Sequence, residues 1–113
     1  MHSQYLELFA QLTNSQYMIN IGTRFPDPRS WYTVDFLNAV KKYISPEHIH
    51  SIEIGNEPDH FTKKQIRPAS FGYQDFLNEF KAYQEVVSEI FPGVPHAGPS
   101  YACKTTHLAY SCR

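Results

Sequence analysis

The stretch from Ile52 to Asp59 carries the residue types and the spacing best suited to chemistry. It reads Ile-Glu-Ile-Gly-Asn-Glu-Pro-Asp, so an alternating apolar run ends abruptly in a polar turn. In a regular strand alternate side chains share a face, which predicts that Glu53, Gly55 and Glu57 point together, away from the helical layer. Glu57 would then lie at the carboxyl end of its strand, where barrel enzymes place their catalytic groups.

A glutamate in this position suits the hydrolysis of glycosidic bonds. The oxygen of the leaving sugar must receive a proton from an acid that is still protonated near neutral pH. A partly enclosed glutamate close to a second carboxylate has its pKa raised for that task. We therefore predict that Glu57 is a catalytic acid and that the Asn56 amide binds a sugar hydroxyl. The plain alternatives are that Glu57 is a turn residue near a helix start and that Asn56 adopts a left-handed turn.

Basic side chains follow this motif in the loop over residues 60–70. Lys63, Lys64 and Arg67 are most often just part of a solvated loop, but they also suit the carboxylates or sulfates of acidic sugars. Of the three, Lys63 is the strongest candidate for substrate binding. Glu53 is predicted to be a structural carboxylate that needs a partner, and Arg24 is the candidate for that partner.

Other reactive residue types lack the spacing that their chemistry requires. The six histidines show no HExxH or Cys/His pattern, so no metal site is predicted and no cofactor is expected. Ser100 follows Pro99 without the Gly-x-Ser-x-Gly elbow of a serine nucleophile. Cys103 and Cys112 would form a disulfide only in an oxidising compartment. Tyr101 is a weak candidate for lining a groove.

Three helices alternating with three strands are predicted to position these residues. Helices are expected over residues 3–13, along an apolar stripe at residues 36–44 that Ser30 caps, and along a stripe at residues 73–91. Strands are expected over residues 17–21, 49–55 and 94–99, the last of them short and interrupted by Pro95. The order α-β-α-β-α-β predicts an α/β fold with parallel strands and helical crossovers.

Length and composition exclude several classes of protein. The chain has 113 residues, of which 42% are hydrophobic and 19% charged, which is typical of a folded domain. Ten basic and eleven acidic residues give a net charge of −1, so neither nucleic acid nor an anionic membrane is the expected partner. No apolar run approaches the roughly 20 residues of a transmembrane segment, and no signal peptide is visible at the N-terminus.

The chain is short for the architecture that its pattern predicts. A (β/α)8 barrel needs roughly 250 residues. We therefore expect residues 1–100 to be a partial TIM-barrel domain that leaves apolar helix faces and strand edges exposed. Residues 101–113 show no clear period and are expected to form an irregular tail, which indicates truncation or a misread exon.

The segment Gly55-Asn56-Glu57-Pro58 resembles the strand-four signature of a large barrel clan of retaining glycosidases. The longer run over residues 53–61, followed by Lys63 and Lys64, resembles glycoside hydrolase family 79, the heparanase and β-glucuronidase family. An Asn-Ile-Gly strand end at residues 20–22 and the pair Gly98-Pro99 are similar to features of that family. The resemblance covers about residues 17–100.

This resemblance implies a site and a substrate. Glu57 matches the general acid/base of the family, Asn56 matches the residue that contacts the sugar at the cleavage subsite, and Lys63 matches a basic residue near the substrate groove. The family nucleophile is a second glutamate on a later strand, beyond the end of this sequence. The implied substrate is a glucuronic-acid-containing glycan, with the remainder of the barrel as structural partner. The chain alone is expected to be inactive.

Two other functions stay open at this point. The chain is alternatively a non-catalytic carbohydrate-binding remnant, or an unrelated small α/β interaction domain in which Asn-Glu-Pro occurs by chance. The resemblance implies a secreted or lysosomal parent protein, with membrane association as a further possibility.

Overall fold

Three helices and three parallel strands alternate along most of the chain. The computed structural model describes residues 2–12, 14–100, 103–105 and 110–112. The helices are α1 (His2–Ala10), α2 (Trp31–Tyr43) and α3 (Tyr73–Ile90), and the strands are β1 (Tyr17–Ile21), β2 (Ile49–Ile54) and β3 (His96–Ala97). Short 3-10 turns over Pro46–His48 and Pro58–His60 flank β2. The predicted order α-β-α-β-α-β is confirmed.

The three strands form one open parallel sheet in the order β1-β2-β3. Asn20 of β1 lies opposite Glu53 of β2, which in turn lies opposite Ala97 of β3. The register shifts once, between Tyr17 and Met18, where β2 holds one extra residue. Each strand therefore neighbours the strand that precedes or follows it in the sequence.

A single apolar core joins all three helices to one face of the sheet. Ile52 and Ile54, two residues apart in β2, share a face and are fully buried in this core. The helices therefore all lie on that face, and the opposite face is open, because Met18 and Asn20 are exposed and Glu53 is half-buried there. The buried core residues are Leu6, Ile21, Leu37, Val40, Ile44, Ile49, Ile52, Ile54, Tyr83, Val87 and Phe91.

The helix α1 departs from the burial that its pattern predicts. The apolar residues at helical spacing, Tyr5, Leu8, Phe9 and Leu12, are exposed, and the residue that reaches the core is Leu6. This exposure agrees with the expectation that apolar helix faces remain uncovered in this chain. The spacing correctly predicts a helix but not which residues contact the core.

The second helix begins where the sequence predicts it. Ser30 occupies the N-cap position with extended backbone angles, and its carbonyl accepts the N–H of Val34 at 3.1 Å. Its hydroxyl makes no capping hydrogen bond, so the predicted side-chain cap is wrong. The helix ends at Tyr43, ahead of Ser45-Pro46, because proline disfavours helical backbone in the residue before it.

A short antiparallel pair of strands follows the sheet, with β4 at Cys103–Thr105 and β5 at Tyr110–Cys112. The sequence pattern did not predict these strands. The conditional disulfide between the two cysteines and the groove-lining role of Tyr101 concern side chains outside the described residues. None of the helices in the described part of the chain combines the length and the apolar character of a membrane span.

Candidate active site at the carboxyl end of the sheet

Backbone hydrogen bonds connect the residues at the carboxyl ends of the three strands, which are called the strand exits below. The N–H of Gly55 donates to the Ile21 carbonyl at 2.8 Å, and the N–H of Ser100 donates to the Gly55 carbonyl at 3.2 Å. The N–H of Glu57 then donates to the Ser100 carbonyl at 2.7 Å, and Asn56 forms a parallel bridge with Ser100. The motif at the end of β2 is therefore held between the exits of β1 and β3.

Two glycines allow the exits of β2 and β3 to come this close. Gly55 has a φ of +99° and Gly98 a φ of +108°, both in the region that favours glycine. A Cβ on Gly98 would lie 2.5 Å from the Ile54 carbonyl oxygen, and one on Gly55 would lie 2.9 Å from Cβ of Pro99. The Gly98–Pro99 peptide bond is cis. Direct packing of β3's exit on β2 brings Ser100 within hydrogen-bond reach of Glu57.

Glu57 sits in a left-handed backbone conformation at the start of the turn over residues 58–60. Its φ is 52° and its ψ is 47°, a conformation that costs about 1 kcal/mol in a residue with a side chain. The backbone holds it on both sides, because its N–H binds Ser100 and its carbonyl accepts the N–H of His60 at 3.0 Å. Strained backbone of this kind is common at functional sites.

The positive φ angles at Gly55 and Glu57 overturn the basis for predicting the direction of the Glu57 side chain. Strand alternation places Glu53, Gly55 and Glu57 on one face, but regular strand ends at Ile54. Since Gly55 and Glu57 both have positive φ, alternation does not set the direction of the Glu57 side chain. The turn sets it instead, and leaves that side chain 41% exposed.

Lys64 is the cation that the structure brings to this carboxylate. Its Nζ lies 3.8 Å from Oε2 of Glu57, and both side chains are half exposed, so the pair contributes little to stability. Lys63, the predicted substrate-binding lysine, is exposed on the same turn, and Asn56 is exposed at the end of β2. The three predicted site residues therefore all follow β2 at its carboxyl end, and none of them is buried: Asn56, Glu57 and Lys63.

The open face of the sheet carries a second carboxylate. Oε1 of Glu53 accepts a hydrogen bond from Nδ2 of Asn20 at 2.6 Å, and the same amide nitrogen lies 3.3 Å from the Gly55 carbonyl. The predicted partner Arg24 is thus replaced by an amide from the neighbouring strand, because Asn20 lies directly opposite Glu53 in the parallel register. Glu53 has a structural partner, as expected, but a neutral one.

Sequence reasoning missed the most connected side chain of this region, Arg67. The prediction of a solvated loop is wrong for this residue, since its side chain is only 4% exposed. Nε and Nη2 donate to the two carboxylate oxygens of Glu79 at 3.0 and 2.8 Å. Nη1 donates to the Arg24 carbonyl at 2.6 Å and Nη2 to the Thr23 carbonyl at 2.8 Å. Nothing in its local spacing distinguishes Arg67 from the two lysines before it.

Aromatic rings complete the surroundings of this guanidinium. Its carbon lies 4.9 Å from the ring centre of Phe61 and 5.5 Å from that of Phe71, both within the range of cation–π attraction. Nearby, the Tyr83 hydroxyl donates to the Phe25 carbonyl at 2.6 Å, and burial raises the pKa of that phenol. The exit loop of β1 is therefore fixed by two side chains from later in the chain.

The concavity at this end of the sheet is small. A pocket of about 110 Å³ opens beside Asn20, lined also by Ile21, Gly22, Tyr32, Thr33 and Phe36. Pockets for drug-sized ligands typically measure ~300–1,000 Å³. Within the described residues no group of three or more His, Cys, Asp or Glu side chains is arranged to hold a metal ion.

Comparison with family models and curated proteins assigns no family to this chain. No protein-family model matches the chain, and no curated protein matches it.

Proposed function

We propose that the chain is part of the catalytic barrel of a retaining glycosidase of the heparanase and β-glucuronidase type. The observation that carries this proposal is the carboxylate of Glu57 at the carboxyl end of the central strand of a parallel sheet. The exposed amide of Asn56 beside it and the cations of Lys63 and Lys64 suit an acidic sugar.

The topology of the sheet supports a barrel rather than a doubly wound fold. Sequential order of parallel strands, with every helix on one face, is the arrangement of a barrel wall. A doubly wound sheet reverses its strand order and carries helices on both faces. In a barrel, the face of Met18, Asn20 and Glu53 would point into the lumen, and further strands would supply the walls that the small pocket lacks.

In the proposed reaction, protonated Glu57 donates its proton to the glycosidic oxygen while the bond between that oxygen and the anomeric carbon breaks. A second carboxylate attacks the anomeric carbon from the opposite face and forms a glycosyl ester. Glu57, now ionised, takes a proton from water as that water attacks the anomeric carbon and releases the sugar and the second carboxylate. This sequence requires two carboxyl groups about 5 Å apart.

The second carboxylate of this scheme is the glutamate that the resemblance places on a later strand. The chain alone is therefore expected to be inactive, and the activity belongs to the full-length protein in which we propose this segment lies. No metal or cofactor takes part in these steps. Asn56 would orient the sugar, and Lys63 would attract the glycan's negative charges.

The test is a comparison of two β-glucuronides in that full-length protein. Glu57→Gln is expected to lower kcat/KM strongly for a substrate with a poor leaving group, by about 100-fold or more, because that oxygen needs a proton to depart. For an activated phenolic leaving group, kcat/KM should change far less. The control variant is Glu7→Gln, at an exposed position of α1. Undiminished hydrolysis of the poor substrate by Glu57→Gln would exclude the acid role.

A glycan-binding role without turnover is the second candidate. It is favoured by the three exposed polar side chains that follow β2, those of Asn56, Lys63 and Lys64. Its test uses the 113-residue chain and a glucuronic-acid oligosaccharide in an NMR titration. Shifts confined to the turn over residues 56–64 would support binding. Lys63→Ala should weaken the shifts, whereas Lys42→Ala, at an exposed position of α2, should not.

A further inference from the structure

We propose that Arg67 is the residue that positions Glu57, by anchoring the turn that carries this carboxylate. The proposal rests on the proposed glycosidase function and assigns to it a residue outside the motif. Three observations support it: the continuous folding of the turn, the burial of the guanidinium, and the weak hold on the Glu57 side chain itself.

The turn from Glu57 to Arg67 is closed by its own backbone hydrogen bonds. The N–H of His60 donates to the Glu57 carbonyl at 3.0 Å, and the N–H of Lys64 donates to the His60 carbonyl at 2.9 Å. The N–H groups of Ile66 and Arg67 donate to the Phe61 carbonyl at 2.8 and 3.2 Å. The two ends of the turn are therefore linked, and displacement of Arg67 would be transmitted to Glu57.

The guanidinium of Arg67 joins this turn to two other parts of the fold. It bonds both oxygens of Glu79 on α3 and two consecutive carbonyls after β1, those of Thr23 and Arg24. It also packs on the ring of Phe61, the residue that directly follows the 3-10 turn begun by Glu57. An arginine has a planar fork of donors that fits such a set, whereas lysine provides a single charge without that fork.

The carboxylate of Glu57 has only a weak contact of its own, so its position depends on the turn that carries it. Its one ion contact in the described part of the chain is with half-exposed Lys64 at 3.8 Å. The backbone around Glu57 is left-handed, and a small rotation there would move the carboxylate oxygens considerably. An acid that is displaced by about 1 Å loses roughly 100-fold in rate.

The chain offers a matched control for this proposal. Arg29 binds both oxygens of Glu89 at 3.0 and 2.7 Å, but both of those side chains are 56% exposed. Arg67→Lys and Arg29→Lys thus make the same change in a buried and in an exposed arginine–glutamate pair. Each variant is made in the full-length protein, and its folded fraction is measured by circular dichroism.

The decisive readout is again the pair of β-glucuronides with poor and activated leaving groups. Arg67→Lys is expected to lower kcat/KM about 10- to 100-fold for the poor substrate and much less for the activated one, the same pattern that is expected of Glu57→Gln. Arg29→Lys should change neither. A purely structural role for Arg67 would lower both values equally through loss of folded protein, and that result would overturn the proposal, as would unchanged values.

The same experiment separates this proposal from the proposed function. If Glu57→Gln fails to discriminate between the two substrates, the acid role of Glu57 is wrong. If Glu57→Gln discriminates and Arg67→Lys does not, only the positioning role is wrong. Should Arg67→Lys fail to fold, Glu79→Gln provides the comparison, because it weakens the ion pair while it keeps the bonds from Arg67 to Thr23 and Arg24.

Discussion

At the residue scale, two arginine–glutamate pairs of similar geometry have different consequences. The Arg67 side chain is 4% exposed and that of Glu79 17%, whereas the side chains of Arg29 and Glu89 are both 56% exposed. Water and ions screen an exposed pair, so it contributes little. Removal of one partner from a buried pair strongly destabilises the protein, because the remaining charge is buried without compensation.

Arg67→Ala is expected to lower the free energy of unfolding by about 3–5 kcal/mol, since it leaves Glu79 and two carbonyls after β1 without their donor. Urea denaturation of the 113-residue chain measures this value. Arg29→Ala is the control and should have little effect. Equal effects of the two substitutions would show that burial of Arg67 has no energetic consequence.

The exposed pair is suited to a pH experiment. The hydrogen bond from Arg29 lowers the pKa of Glu89 below its ordinary value of 4.5. A pKa lowered by folding stabilises the protein above the ordinary pKa, and this stabilisation is lost as the pH falls through the lowered value. We expect an NMR titration of the Glu89 carboxyl to show a midpoint below 4.5, and Arg29→Gln to return it to the ordinary range. A midpoint that Arg29→Gln leaves unchanged would refute this cause.

At the element scale, the site depends on contact between the exits of β2 and β3. The two strands share only two paired positions, so regular sheet pairing is short. The glycines at 55 and 98 extend the contact beyond the sheet, because their lack of a Cβ lets the two chains pack backbone to backbone. The position of Ser100, and through it of the Glu57 N–H, follows from this contact.

Gly98→Ala is expected to destabilise the chain by about 1–3 kcal/mol, since its backbone has a positive φ and its new Cβ would collide with the Ile54 carbonyl. Thermal unfolding followed by circular dichroism measures the loss. The matched control is Gly22→Ala, because a Cβ on Gly22 would meet nothing within 4 Å. If both substitutions are equally tolerated, the close contact between β2 and β3 does not form in solution.

At the scale of the whole molecule, the outer edges of β1 and β3 have no strand partner among the described residues, and one face of the sheet is open. Along β1, an apolar groove is lined by residues of α1, β1 and α2, among them Phe9, Met18 and Phe36. Met18 is 54% exposed, and the apolar stripe of α1 is exposed beside it. Unpaired strand edges with apolar flanks favour association with other chains.

We expect the isolated 113-residue chain to self-associate with increasing concentration, because association removes these apolar surfaces from water. Sedimentation velocity over a range of concentrations measures the effect. Met18→Lys places a charge on the exposed strand and should shift the distribution toward monomer, whereas Asn78→Lys, at an exposed position of α3, should not. A chain that stays monomeric throughout would contradict the proposal that this edge pairs with a further strand.

As far as β3, the sequence by itself determined the kinds of element, helix or strand, and their order. The period of two at β2 and the apolar stripes of α2 and α3 are local patterns, and prolines and glycines mark where those elements end. The turn that carries Asn56 and Glu57 was also predictable, since Gly55 and Pro58 interrupt the strand directly. Parallel pairing followed from the alternation of helices and strands, because successive strands joined by a helix run in the same direction.

Only the tertiary structure decided which side chains meet. Arg67 reaches Glu79 across 12 positions of sequence and Thr23 across 44, and no local pattern encodes such distances. For the same reason Asn20 replaced Arg24 as the partner of Glu53, Lys64 came to lie beside Glu57, and Leu6 rather than the apolar stripe of α1 reached the core. Periodicity describes a side chain's direction within its own element, whereas burial and pairing depend on what the rest of the fold places opposite it.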